Sequence, residues 1–214
     1  LANENNKEII FSVQFTSGIN GNTEGSFMYQ QFSPSATVSG AKGHNLPTKS
    51  VYNLYSTSDA RKSEYVALAA TGSPYNNKLK KPTTVITDGG SNIVVLRYAD
   101  VLLMLAEAEN ELGNLASAAD YLNQVRSRAA LKATTATSKD ELTTALALER
   151  QLELVGEGHR WFDLLRTKTA VTVMNKWFKD NGTLTVIKDQ NLLMPIPVGQ
   201  INTDPSIKQN PGYN

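Results

Sequence analysis

The stretch LRYADVLLMLAEAENELG, residues 96–113, decides the fold class. Its side chains alternate between polar and apolar with the period of an α-helix. One mostly polar stripe consists of Arg97, Asp100, Met104, Glu107 and Glu111. The rest of the surface is apolar, at Leu96, Ala99, Leu102, Leu103, Leu105, Ala106 and Leu112. The pattern predicts a largely buried helix.

A helical hairpin follows from the next residues. Gly113 suits the left-handed conformation that ends many helices, and residues 114–129 begin a second helix after a very short turn, which requires antiparallel neighbours. The positions that fit one tetratricopeptide repeat are Leu105, Ala106, Gly113, Ala118, Leu122 and Val125. The sequence shows no second clear copy. Because a lone repeat cannot bury its apolar face, we expect its stacking partners to lie outside this chain.

Further helices are predicted towards the C-terminus. Ser138 and Glu141 form an S-x-x-E capping box before a third helix, which Gly156 and Gly158 interrupt. The motif HRWFDLLR starts a short helix, and AVTVMNKWF continues the helical part. Residues 184–187 are interpreted as a short strand within an extended, proline-containing tail.

The N-terminal part contains a strand and a long loop region. In EIIFSVQF, residues 8–15, apolar side chains alternate with the period of two that is typical of a strand. Residues 16–50 are rich in Gly, Ser, Asn and Thr and lack a sustained period. Long loops often bind ligands. Alternatively, protein outside this chain orders the segment.

These elements predict a mainly α fold: a tetratricopeptide-like helical hairpin plus further helices, with a loop-rich subdomain and a few short strands. We expect three segments. Residues 1–95 form the loop-rich segment with the early strand, residues 96–180 the helical scaffold, and residues 181–214 the extended C-terminal segment.

Composition excludes several classes of function. The 21 basic and 20 acidic residues nearly cancel, without long runs of like charge, so we expect no nucleic-acid partner. The absence of cysteine excludes disulfides, thiolate metal sites and a cysteine nucleophile. The longest apolar run, residues 101–106, is far shorter than the roughly 20 residues of a membrane-spanning helix. The chain begins with Leu1 rather than methionine, and the polar residues that follow form no secretory apolar segment. We therefore expect a fragment of a longer protein.

Three interpretations apply to Glu149, Glu153 and Glu157, which are spaced four apart. A metal site would want a Glu-x-x-His motif, whereas Glu157 and His159 are two apart. Acid and base roles would require carboxylates facing a cleft. Arginines at helical spacing favour a structural ion-pair network instead, formed by Arg97, Asp100, Glu149, Arg150, Glu153, Glu157, Arg160, Asp163 and Arg166.

Aromatic residues in and beside the loop region are the candidate ligand-binding residues. Sugar rings stack on aromatic faces while polar side chains bind their hydroxyls. The candidates are Phe27, Tyr29, Phe32, Tyr52, Tyr55 and Tyr75. For each of them the alternative is a ring packed into the core.

Six blocks of sequence together resemble the C-terminal part of the SusD/RagB family, the starch-utilisation-system D-type proteins of Bacteroidetes. In order they are EIIFSVQF, LRYADVLLMLAEAENELG, LNQVRSRA, LERQLELVGEGHRWFDLLR, LMPIP and QNPGY. The resemblance implies a non-catalytic, surface-exposed lipoprotein of the outer membrane, built on tetratricopeptide-like repeats. It implies capture of glycans or other nutrients for a TonB-dependent, SusC-like transporter. Separately, the residue patterns predict no cofactor and no metal site at the spaced glutamates.

The resemblance also bears on the candidate sites. It implies membrane contact through a lipid anchor absent from this chain, and ligand platforms in loops comparable to FMYQQF and VYNLYSTS. The block EGHRWFDLLR resembles the family pattern E-G-x-R-x-x-D-L-x-R, which belongs to the scaffold. Two alternatives stay open: a purely structural or transporter-docking part without a ligand site, and a glycoside hydrolase that uses the spaced glutamates with His159.

Overall fold

The computed structural model describes residues 6–18 and 24–213. The strands are β1 (Ile9–Val13), β2 (Val66–Leu68), β3 (Pro74–Asn76) and β4 (Ile93–Arg97). The helices are α1 (Met28–Phe32), α2 (Lys49–Leu54), α3 (Arg61–Tyr65), α4 (Tyr98–Glu111), α5 (Leu115–Arg128), α6 (Lys139–Glu153), α7 (His159–Arg166), α8 (Ala170–Asp180) and α9 (Val198–Thr203). A 3-10 helix spans Asp189–Leu192. The chain forms two compact units, Leu1–Gly158 and His159–Asn214; the three predicted segments stay a prediction.

Helices α4, α5 and α6 form the main core of the first unit. The predicted hairpin of α4 and α5 is confirmed, and Gly113 between them has a φ of 82°. Ala106 and Ala118 are fully buried, and their small side chains allow the two helices to approach closely. Leu142 and Leu146 of α6 pack into the same cluster. The expectation that every stacking partner lies outside this chain is therefore wrong, because α6 packs against the hairpin.

The first predicted helix begins two residues later than expected. Residues 93–97 form β4, which pairs antiparallel with β1, so the early strand is confirmed. The Tyr98 amide then donates to the Glu8 carbonyl at 2.7 Å, and α4 starts. Burial of α4 is less complete than predicted, because Leu105, on the predicted apolar surface, is exposed, as is Leu112 just after the helix. Met104 is exposed in agreement with its place in the predicted polar stripe.

The region predicted as a long loop contains short helices in its described part. It includes α1 and the start of α2, both too short to show a period in the sequence. The chain after α1 folds back on this helix: the amides of Lys42 and His44 donate to the carbonyls of Gln30 and Gln31, each at 2.8 Å. Residues 34–47 are thereby an ordered loop.

The C-terminal half confirms three predicted helices and corrects one strand. The capping box of Ser138 and Glu141 opens α6, and α7 and α8 follow. Residues 184–187 are extended but form no strand. Instead, the Asn175 side chain makes two hydrogen bonds to the backbone of Ile187, at 2.8 and 2.9 Å, and so replaces a neighbouring strand. None of the helices in the described ranges is long and apolar enough to cross a membrane.

Candidate functional site

The predicted ligand-binding aromatics occupy different environments. Phe27 precedes α1 and is 53% exposed, while Tyr29 and Phe32 within this helix are half-buried. Tyr52 on α2 and Tyr75 in β3 are also half-buried. Each of these five rings keeps some surface that a ligand can reach.

Tyr55 requires a correction. Its side chain is 1% exposed and packs with Val66 and Leu152 in a second apolar cluster. The hydroxyl donates to the Leu152 carbonyl at 2.8 Å, and burial raises the pKa of Tyr55 far above its ordinary value. A ring without an accessible face cannot stack on a sugar, so the prediction of a ligand-binding Tyr55 is wrong.

A cleft of about 470 Å³ lies beside Tyr52. It is lined by the tyrosine ring and by hydroxyl-bearing residues of the segment before and within α3, among them Thr57, Ser58 and Ser63. Lys62 lies over the Tyr52 ring, with its Nζ atom 4.6 Å from the ring centroid. The same ammonium donates to the Tyr55 carbonyl at 2.9 Å, which fixes it in place. An aromatic face surrounded by hydroxyl groups suits a carbohydrate ligand.

A cluster of ion pairs lies close to this cleft, centred on Glu153, whose side chain is fully buried. Arg97 donates to the Glu153 carboxylate at 2.6 Å and Arg61 at 2.9 Å, and Arg128 donates to it as well. The Tyr65 hydroxyl adds a further bond at 3.2 Å. Every oxygen of this carboxylate is therefore engaged by a donor.

The neighbouring glutamates of α6 and the following turn are held in the same way. Glu149 accepts from Arg61 at 2.7 Å and from Arg126 at 3.0 Å. Glu157 accepts from Arg97 at 2.7 and 2.9 Å, and Lys78 also donates to it. The three predicted carboxylates thus face arginines and lysines from several other elements.

The whole cluster is balanced in charge. Within the described residues it contains five cations and five carboxylates, which are Arg61, Lys78, Arg97, Arg126, Arg128, Glu8, Asp59, Glu149, Glu153 and Glu157. We refer to these residues as the ion-pair cluster. Balance matters because an unpaired charge in a buried site costs several kcal/mol, about 3–5 when one partner is removed.

The pKa values follow from burial and from these partners. Burial alone raises the pKa of the Glu153 carboxyl, but the charges of Arg97, Arg128 and Lys78 outweigh burial and lower it to about 2. For Glu157 burial again raises the pKa, and hydrogen bonds from Arg97 and the charge of Lys78 shift it downwards overall. Burial, together with the charge of Arg97, lowers the pKa of Lys78 to about 8. Both glutamates are therefore ionised at neutral pH.

Two glycines form the joint after α6. Gly156 has a φ of 77° and Gly158 a φ of 89°, a region that side chains other than glycine rarely adopt. A methyl group on Gly156 would overlap the Asn76 amide nitrogen, and the Gly156 carbonyl accepts from Asn45 at 2.8 Å. Both glycines turn the chain, and Gly156 also lets it pack closely against Asn76.

A family model, that of the SusD family, matches residues 69–213. The chain belongs to the SusD family. It is 35% identical over 132 residues to the SusD-like protein P38 of Formosa agariphila, an alignment that covers 58% of this chain and 25% of that protein. The chain spans about a quarter of the length of the curated relatives it matches.

Solved structures of the SusD superfamily have the same fold. A SusD superfamily protein from Parabacteroides distasonis is 26% identical, with a TM-score of 0.75 over 96% of this chain and 50% of that one. Surface glycan-binding protein A from Bacteroides thetaiotaomicron, in complex with laminarihexaose, is 22% identical. Its TM-score is 0.71, over 95% of this chain and 52% of that one. At this identity the second likeness concerns the fold alone.

In this SusD-family chain, the predicted network residues fall into separate groups. Arg97, Glu149, Glu153 and Glu157 belong to the ion-pair cluster. Asp100 and Arg150 form a buried pair of their own at 2.8 Å. In the second unit, Asp163 pairs with Arg166 at 2.9 Å. Arg160 is half-buried, and burial lowers its pKa although the charge of Asp163 raises it.

Sequence reasoning missed the cationic partners in the cluster. Arg61, Arg126 and Arg128 lie on α3 and α5, and Lys78 follows β3, so spacing along α6 gives no sign of them. A usable signal was present for two of them: Arg126 and Arg128 are cations in the last turn of α5, the helix before α6. Asp59 and Arg61 carry a local signal too, because an acidic and a basic residue stand two apart in the sequence. In the structure Arg61 donates to the Asp59 carboxylate at 2.8 and 3.0 Å.

Proposed function

We propose that this SusD-family protein captures glycans or other nutrients at the cell surface without cleaving them. It then delivers them to a TonB-dependent, SusC-like transporter, as a lipid-anchored protein of the outer membrane. Membership of the family supports this proposal, together with the laminarihexaose bound by one structural neighbour. The observation that carries it in this chain is the cleft beside Tyr52, where an aromatic face meets several hydroxyl groups.

The state of the glutamates supports binding over hydrolysis. A glycosidase needs one carboxyl group that is protonated near neutral pH and can donate its proton to the leaving group. The pKa of Glu153 is about 2, and Glu149 and Glu157 are bonded to arginines. The lowered pKa values of Glu153 and Glu157 make them unsuited to act as a general acid, and Glu149 is buried and bonded to Arg61 and Arg126.

Binding measurements with product analysis test the proposal. The full chain is titrated with laminarihexaose and a panel of soluble polysaccharides, and the same samples are analysed for shorter products. Tyr52→Ala should weaken glycan binding by about twofold to about tenfold, since an aromatic contact contributes about 0.5–1.5 kcal/mol. Tyr98→Ala is the matched control, because Tyr98 is an exposed tyrosine at the start of α4, outside the residues that line the cleft.

Three results would contradict the proposal. They are the absence of binding to every glycan tested, equal affinities of the Tyr52→Ala variant and the original protein, and the release of cleavage products. Phe27, Tyr29, Phe32 and Tyr75 remain candidate ligand residues, and the same titration applies to each.

A purely structural or transporter-docking role is the second candidate function. The burial of Tyr55 favours it, because one of the two tyrosines of VYNLYSTS packs in the core. This role predicts that transporter association depends on residues of this chain while glycan affinity does not. Absence of glycan binding by this chain, with association retained in a co-purification assay with the transporter, would support it.

A further inference from the structure

A second cleft, of about 460 Å³, is lined by three lysines. Lys78, Lys80 and Lys81 lie in it, together with Tyr65, Asn77, Pro82 and the carboxylate of Glu64. The lysines are close in sequence because they follow β3 in the segment KLKK. Several cations around one concave surface raise the local concentration of anions.

Two of these lysines have no acidic partner in the described part of the chain. Lys78 is neutralised by Glu157. Within residues 6–18 and 24–213, no carboxylate lies at ion-pair distance from Lys80 or Lys81. Lys80 lies over the Tyr75 ring, with Nζ 5.0 Å from its centroid, which orders its side chain. Among the described residues that line this cleft, Glu64 is the one acidic residue, and it forms no ion pair with Lys80 or Lys81.

A third cleft, of about 450 Å³, adjoins the second one. The two share Lys81 and Pro82, so Lys81 lies where they meet. Besides Lys81, the third cleft is lined by hydroxyl-bearing residues, among them Ser17, Thr84 and Ser91, and by apolar residues such as Ile9 and Val94. Hydroxyl groups form hydrogen bonds with the hydroxyls of a sugar, and apolar side chains pack against its ring.

We propose that these two adjoining clefts form a binding groove for acidic glycans, polysaccharides whose sugars bear carboxylate or sulfate groups. Lys80 and Lys81 contact the anionic groups, and the hydroxyl-bearing residues of the third cleft contact the neighbouring sugar hydroxyls. Lysine suits this task because its compact charge on a flexible stem can follow anionic groups at variable positions. The inference rests on the proposed function and names a class of glycan for it.

Matched pairs of charged and neutral polymers test this inference. The full chain is titrated with polygalacturonate and its fully methyl-esterified form, and with dextran sulfate and dextran. The charged member of at least one pair should bind more tightly, and the difference should disappear in about 1 M salt, where the Debye length is about 3 Å. The pair that shows the preference identifies the anionic group as carboxylate or sulfate.

Two double variants separate the groove from general surface charge. The Lys80→Met/Lys81→Met variant keeps the apolar stems and should lose about tenfold or more in affinity for the charged polymer, as expected for charge-assisted hydrogen bonds. The control, Lys139→Met/Lys176→Met, removes the same charge from exposed pairs elsewhere and should have no such effect. Thermal melts of both variants verify folding.

The outcomes distinguish this inference from the proposed function. Equal binding of charged and neutral polymers, or equal losses in both double variants, would overturn the acidic-glycan groove. If laminarihexaose or another neutral glycan still binds and responds to Tyr52→Ala, the proposed function stands while the groove fails. If no glycan of either kind binds, both fail.

Discussion

Replacing Glu153 by glutamine tests whether the ion-pair cluster stabilises the fold. One Glu153 oxygen accepts from Arg97, Arg128 and Tyr65, and the other accepts from Arg61. Glutamine keeps one acceptor oxygen but places an amide donor against the remaining guanidinium group. The substitution also leaves the balanced cluster with one excess positive charge in a buried site.

The expected loss of stability is about 3 kcal/mol, and two estimates agree on it. The pKa of Glu153 falls from the ordinary 4.5 to about 2. Because each pKa unit corresponds to about 1.4 kcal/mol, the fold stabilises the charged form of Glu153 by about 3 kcal/mol. Removing one partner of a buried ion pair independently costs about 3–5 kcal/mol. No discount for solvent screening applies, because the Glu153 side chain is fully buried.

Urea unfolding at neutral pH, followed by circular dichroism, measures this loss. Glu111→Gln is the matched control, because Glu111 pairs with Lys139 at the surface and should contribute less than about 1 kcal/mol. If Glu153→Gln and Glu111→Gln have the same free energy of unfolding, the cluster does not stabilise the fold and the reasoning is refuted.

The pH dependence gives a second test of the same residue. Because the pKa of Glu153 is lower in the folded chain, its stabilisation is fully present above about pH 4.5 and is lost as the pH falls towards about 2. The difference in stability between the original protein and Glu153→Gln should therefore shrink across this window. A difference that stays constant down to the acid end would contradict the pKa assignment.

Other substitutions follow from single contacts. Gly156→Ala should lower the melting temperature more than Gly158→Ala. At both positions a side chain at positive φ destabilises the fold by about 1–2 kcal/mol, but only at Gly156 would a methyl group also overlap Asn76. Tyr55→Phe removes the hydrogen bond to a buried carbonyl and should cost about 1–3 kcal/mol in urea unfolding, with glycan affinity unchanged. A fall in affinity at unchanged stability would instead restore Tyr55 as a ligand residue. Ser138→Ala should cost about 1 kcal/mol by loss of the helix cap, and an unchanged urea midpoint would show that the cap contributes nothing.

The parts of the fold that the sequence predicts are those set by local chemistry. A helical period over α4, α5 and α6, the glycine after α4 and the capping box before α6 each act within a few residues. The start of α4 could not be predicted in this way. Leu96 and Arg97 fit the helical stripe equally well, and they form β4 because β1, more than 80 residues earlier, provides hydrogen bonds.

The same distinction explains the aromatic residues. Tyr52 and Tyr55 are three apart, a spacing that places side chains on one face of a continuous helix. Both rings accordingly face the same apolar cluster, in which Tyr55 is fully buried and against which the half-buried Tyr52 packs beside the cleft. Whether a ring on this face lies inside the core or at its edge depends on Val66 and Leu152, which cover Tyr55 and are distant from α2 in the sequence.

The ion-pair cluster also connects the scaffold to the candidate ligand cleft. Asp59 lines the cleft beside Tyr52 and binds Arg61 through both of its carboxylate oxygens. Arg61 in turn donates to Glu149 and Glu153 of α6. The segment that carries the cleft's hydroxyl groups is therefore attached to the scaffold helix by a chain of buried, charged hydrogen bonds. We infer that Glu149 and Glu153 serve ligand binding indirectly, because they fix the position of the cleft residues through Arg61 and Asp59.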